Sequence, residues 1–165
     1  MPAAEGKQDH TEQHLTYLAI TGTFWTIFAV FNLLRQGKPL HLKPFDFVLL
    51  VFSTFRLGRL IAYDRVTQPY RAPFTETVLD SYGASETVVP KQYGWRRVIG
   101  ELISCPICSG TWVAAALVYA LQIAPGPARI FITIMGTIGA GEILNALTEA
   151  LSWGGESSRK QVGHN

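Results

Sequence analysis

Two cysteines, Cys105 and Cys108, stand three positions apart in the run Cys105-Pro106-Ile107-Cys108-Ser109-Gly110-Thr111-Trp112. They are the only cysteines of the chain. A CxxC spacing is that of thiol–disulfide oxidoreductases, and it is also half of a zinc site. The plainer alternative, which weighs most, is two small inert residues at a helix start. A closed zinc site needs about four protein ligands, and His10, His14, His41 and His164 are scattered. No cofactor is therefore expected, with zinc as the minor alternative. The thioredoxin reading also wants a βαβ setting, and none is visible.

A second set of chemically capable residues lies near the end of the chain. Glu142, Asn145 and Glu149 fall at i, i+3 and i+7, one polar stripe on an otherwise apolar segment. An intramembrane carboxylate is a functional candidate by default. Its natural partners are Arg56 and Arg59, which share one helix face. The pattern predicts that Glu142 pairs with them, holding the bundle together or lining a polar path.

These groups need elements to position them, and those elements are apolar helices. The chain has 165 residues, 48% hydrophobic and 16% charged, against roughly 25% charged in soluble domains. A net charge of +2 does not point to nucleic acid. Residues 1–14 are polar and read as a disordered tail without a cleavable signal. Four spans are expected, at about 15–34, 44–63, 105–124 and 130–152. Residues 105–124 cover roughly 30 Å at 1.5 Å per residue, a hydrocarbon thickness. Pro106 suits the first helical position and makes Cys105 the N-cap; Pro125 and Pro127 should end that span. Gly136 and Ala140 form one small-residue face, and Ala116 and Ala120 another, which predicts close packing of the last two spans. Trp25 lies too deep for an interface anchor and should pack against a neighbour.

Between the second and third spans, 64–104 reads as an ordered polar loop and an interfacial helix. Ser81-Tyr82-Gly83-Ala84-Ser85 is a turn cluster, and Thr87-Val88-Val89 suits a short strand. Trp95, Val98, Ile99, Leu102 and Ile103 recur at helical spacing, with Arg96, Arg97 and Glu101 elsewhere on the wheel, so this segment should lie in the interface. Residues 154–165 read as a mobile tail. Four spans place the termini and the 64–104 segment on one face. That face holds ten of the fourteen Lys and Arg residues, so the positive-inside rule puts it, with the cysteines, in the cytoplasm. Arg56, Arg59, Asp64, Arg65, Arg71 and Glu101 then gather near the cysteines. An interfacial salt-bridge network is the leading reading of that cluster. Binding of anionic headgroups and depression of the thiol pKa by arginine are the alternatives.

The runs Arg56-Leu57-Gly58-Arg59-Leu60-Ile61, Asp64, Pro69-Tyr70-Arg71-Ala72-Pro73-Phe74 and Gly100-Glu101-Leu102-Ile103-Ser104-Cys105-Pro106-Ile107-Cys108-Ser109-Gly110-Thr111-Trp112 carry a resemblance. Over roughly residues 45–125 the chain resembles a bacterial family of small integral membrane proteins. That family is a domain of unknown function and includes a sporulation protein of endospore-forming bacteria. The resemblance implies a membrane location, a helix opened by a CPxCxGxW motif (Pro106, Gly110, Trp112) and an Arg–Asp–Pro–Arg loop. It implies no reaction.

The sequence thus predicts an all-α, polytopic membrane bundle in the cell membrane with both termini cytoplasmic. Its partners are the lipid bilayer and a second copy or another membrane protein. A non-enzymatic component acting through helix and loop contacts is the leading function. The alternatives are a thiol–disulfide or metal-handling protein using Cys105 and Cys108, and a small oligomeric transporter or channel subunit.

Overall fold

In a computed structural model, residues 2–36, 39–79, 86–91 and 94–162 are described. Helix α1 is Pro2–Leu34 and α2 is Pro44–Tyr63. A 3-10 turn at Arg65–Thr67 leads into α3 (Gln68–Arg71), then strands β1 (Thr75–Leu79) and β2 (Glu86–Pro90). Helices α4 (Gly94–Ser104), α5 (Pro106–Ile123) and α6 (Pro125–Val162) complete the described chain. Among the described residues, three helical stretches are long and apolar enough to cross a membrane: Thr11–Leu34, Pro106–Ile123 and Pro125–Trp153. The 20-residue α2 is interrupted by Asp46, Arg56 and Arg59.

Several sequence expectations need correction. Helix α1 begins at Pro2, inside the segment 1–14 read as a disordered tail. A helix already nucleated downstream gains a hydrogen bond for each residue added, and Ala3, Ala4, Glu5 and Lys7 are good helix formers. By the same logic α6 continues beyond 152 to Val162, through most of the segment expected to be mobile. Pro125 and Pro127 do follow the end of α5 at Ile123, but they also open α6, where a missing N–H costs nothing. The chain is mostly helical rather than wholly so. β1 and β2 form an antiparallel ribbon in the register Thr75↔Pro90, Thr77↔Val88, Leu79↔Glu86. Thr75–Leu79 alternates over only five residues and takes its identity from its partner strand. The turn cluster at 81–85 lies outside the described residues.

The core forms where α2, α5 and α6 meet: Leu50, Leu117, Leu121, Ala128 and Ile132. Among apolar surroundings the packing relies on small residues that let backbones approach. Gly136 abuts Leu49 and Ser53, and Gly139 abuts the Phe52 carbonyl. The small face of α6 therefore receives α2, whereas Ala116 is exposed on α5. The spacing identified the face but could not choose between two neighbours. Fully buried Ser53 donates to the Ile132 carbonyl at 2.8 Å, a contact worth about 1 kcal/mol.

Helix α1 stands outside this core. Tyr17, Phe24 and Phe31 recur every seven residues. Phe24 meets Trp112 edge-on at 5.3 Å, and Phe31 stacks on Tyr119 at 4.1 Å. Trp25 touches only rings of its own helix, Phe24 and Phe28, and is exposed, so the neighbour contact belongs to Phe24.

A Gly139→Ala substitution would overlap the Phe52 carbonyl and should cost about 1–3 kcal/mol by overpacking. Gly141→Ala, on the same helix with open space around it, should be neutral or mildly stabilising. Thermal unfolding in detergent would compare the two; equal effects would refute the close α2–α6 approach.

Candidate functional site

Helix α2 carries its charges into the bundle, and each meets an opposite charge. Near its start, Asp46 is buried and accepts from Arg129 Nε and Nη2 at 3.2 and 3.1 Å. Near its end, Arg56 reaches Asp64 through both terminal nitrogens, at 3.4 and 2.5 Å. Its Nη1 also lies 3.7 Å from Glu142 Oε2. Arg59 Nε donates to Glu142 Oε1 at 2.7 Å, and its guanidinium lies over the rings of Phe55 and Tyr63. Arg56 is the more deeply set, 19% exposed against 44% for Arg59. Two cations and two carboxylates from α2, its C-cap and α6 thus form one cluster. Asn145 and Glu149, on the same sequence stripe, are exposed.

Arg71 takes a different place. It is only 5% exposed, and among the described residues it pairs with no carboxylate. Nη1 donates to the Asp64 carbonyl (2.8 Å) and Thr67 Oγ1 (3.0 Å), and Nη2 to the Tyr63 carbonyl (3.2 Å). The Tyr63 carbonyl is one that the end of α2 leaves without a helical partner, at the negative end of the helix dipole, and the Asp64 carbonyl also accepts the Thr67 N–H at 3.2 Å. Thr67 Oγ1 donates to the Leu60 carbonyl at 2.6 Å. The Arg–Asp–Pro–Arg loop is therefore a C-terminal clamp on α2.

The single charged cluster expected over the bundle is three separate ones. Arg56, Arg59, Asp64 and Glu142 form the first, and Arg71 with the end of α2 the second. Glu101 of α4 forms the third with Arg97 (3.0 Å) and the Tyr17 hydroxyl of α1. Arg65 is exposed. Linear proximity could not separate these groups, because the helix ends direct neighbouring side chains to different sides.

The CPxCxGxW run divides its residues among three neighbours. Cys105 caps α5 in extended backbone, and its Sγ accepts the Cys108 N–H at 3.3 Å. A Cβ on Gly58 of α2 would sit 2.5 Å from the Pro106 carbonyl oxygen, and Gly110 lies against Thr54 of the same helix. Trp112 meets Phe24 of α1. Cys105, which precedes the helix, is held below the usual thiol range by the Cys108 thiol and then the Cys108 N–H; arginine is not among the causes. Among the described residues no three His, Cys, Asp or Glu side chains gather as a metal cage requires.

Three contacts escaped the sequence reading. Asp46–Arg129 was foreshadowed by two opposite charges at helix starts on one end of a four-helix arrangement. Tyr17–Glu101 was foreshadowed by the heptad of rings on α1. The approach of Gly58 to Pro106 joins two motifs 48 positions apart, and no local pattern announces it.

This architecture is that of a small, mostly helical protein with three helices suited to a membrane, cross-braced by ion pairs. Residues 49–148 match the family described as "Protein of unknown function (DUF1360)", and the chain belongs to that family. It is 37% identical over 103 residues to "Sporulation protein YjcA" of Bacillus subtilis (strain 168), covering 61% of this chain and 87% of that one. It is 30% identical over 107 residues to "UPF0713 protein YngL" of the same organism, covering 63% of this chain and 78% of that one. No solved structure matches. The family match leaves out α1 and includes all three clusters' residues from Arg56 to Glu142.

Two outcomes follow from this geometry. Arg71→Lys keeps the charge but loses the planar fork, leaving carbonyls of α2 unmet. It should cost about 1–3 kcal/mol, with faster hydrogen exchange confined first to residues 60–72; unchanged exchange there would remove the clamp. Separately, the Tyr17 hydroxyl first, and then Arg97, hold Glu101 below the usual carboxylate range. Its folded value is the lower one, so this contact contributes fully above the unfolded value of about 4.3. The contribution is lost as pH falls through the folded value beneath that. Spin labels on α1 and α4 should keep one separation from neutral pH to about 5 and part only in stronger acid. Tyr17→Phe should move the parting to higher pH.

Proposed function

We propose that this protein is a non-enzymatic component of the cell membrane that crosses it four times, with α2 as the crossing that composition obscures. One observation carries the reading: Asp46, Arg56 and Arg59 of α2 each face an opposite charge within the chain. Unpaired, such groups are costly in hydrocarbon; paired, they allow a 20-residue helix of about 30 Å to span it. The termini, the ribbon and the start of α5 then share one face, which the distribution of Lys and Arg assigns to the cytoplasm. α4 lies along that interface, with Val98 and Gly100 inward and Trp95, Arg96 and Arg97 exposed.

The clusters spend their hydrogen bonds on joining α2, α6, α4 and α1 to one another, which supports cohesion as their role. Contacts with the bilayer and with another membrane protein, or a second copy, then fall to α1 and the β1–β2 ribbon. The sporulation role in one relative's name describes that relative; here it enters only as a setting in which such a component would serve.

Topology tests this directly. In a Cys105→Ser/Cys108→Ser background, His41→Cys and Gly126→Cys should react with an impermeant maleimide on intact cells. Glu5→Cys and Ser157→Cys should react only in inverted vesicles. Labelling of residues 5 and 157 from opposite sides would mean three crossings and sink the proposal.

A further inference from the structure

Cys105 and Cys108 remain unused by the cohesive role, whereas Pro106, Gly110 and Trp112 around them are committed to packing. The cohesive reading would survive their replacement. Cys108 is exposed and Cys105 half-buried, and both are free thiols. The Cys105 sulfur already lies over the first turn of α5, 3.3 Å from the Cys108 nitrogen. On a helix, residues three apart have Cβ atoms about 5–6 Å apart, and a disulfide needs about 3.5–4.5 Å. The N-cap has extended dihedrals, φ −97° and ψ 109°, so a small rotation there closes the gap without unwinding α5. The exposure of Cys108 leaves the pair open to a reacting partner.

We propose that Cys105 and Cys108 form a thiol–disulfide exchange site at the membrane surface, with an organic disulfide, R–S–S–R, as co-substrate. The Cys105 thiolate attacks one sulfur, forming Cys105–S–S–R and expelling RS⁻. The Cys108 thiol loses its proton and attacks the Cys105 sulfur, forming the Cys105–Cys108 bond and expelling the second RS⁻. Two electrons pass to the co-substrate, which leaves as two thiols carrying the protons of the two cysteines. The positive end of α5 favours the attacking thiolate. In the reverse direction the site oxidises a dithiol. A purely structural pair would do neither.

The test uses full-length protein in lipid nanodiscs, treated with oxidised glutathione at neutral pH, quenched in acid and weighed intact. The wild type should become two hydrogens lighter, with no remaining free thiol and no bound glutathione. Cys108→Ser should stop with one glutathione on residue 105. Cys105→Ser should stop with one glutathione on residue 108 and form no internal disulfide. A wild type that stays a dithiol, or that accumulates a stable glutathione adduct, would overturn the proposal. Because the wild-type product alone can refute it, the test does not depend on either variant folding.

Discussion

A guanidinium removed from water loses several kcal/mol of hydration unless its donors and its charge are met at once. The organisation of this protein follows from that constraint on Arg56 and Arg59. Glu142 must come from α6 to meet them, and Asp64 from the end of α2 itself. The Asp64 backbone then turns, and Arg71 closes the turn from the far side. At the opposite end, Asp46 and Arg129 repeat the arrangement with the signs exchanged between helices. Charge pairing thus sets the axial register of α2 against α6 at two places. Gly136 and Gly139 then let the helices close between those places. Apolar burial alone would not choose such a register, because it is non-directional.

The motifs that define the family run are mostly surfaces of contact. Gly58 faces the Pro106 carbonyl, Gly100 faces the Phe74 carbonyl, and Gly110 faces Thr54. At Gly58 and Gly100 a side chain would displace backbone on the partner, whereas Gly110 has ordinary contact distance to the Thr54 side chain. The prolines hold those backbones in shape, and Trp112 fills the side where α1 arrives. The two sulfurs are not packed between helices: Cys105 accepts the Cys108 N–H at the start of α5, and Cys108 is exposed.

Much of this was readable in advance, for physical reasons that differ by residue. The starts of α2 and α5 followed from prolines that tolerate only a first-turn position. The meeting of Glu142 with Arg56 and Arg59 followed from the rarity of partners for a carboxylate in an apolar helix. The ribbon was half visible, because Thr87-Val88-Val89 has strand character while Thr75–Leu79 needs its partner. The partner of the small face on α6 was not readable: Gly136 permits close approach by any helix, and tertiary packing chose α2. The split of the arginines among three clusters was equally hidden, since Arg56, Arg65 and Arg71 differ in direction rather than in type. The helical stretches near both termini were missed because polarity was taken for disorder.

A two-stranded ribbon of five-residue strands does not hold itself together in water. Here it is fastened at its base: the Lys91 N–H donates to the Phe74 carbonyl, Lys91 Nζ to the Ala72 carbonyl, and Thr75 Oγ1 to the Arg71 carbonyl. Arg71 in turn grips the last turn of α2. The ribbon is therefore the outer arm of a lever whose inner arm is α2. A load on the ribbon is delivered to the end of α2 that holds Arg56 and Arg59, so a displacement at the strands reaches charges set within the bundle.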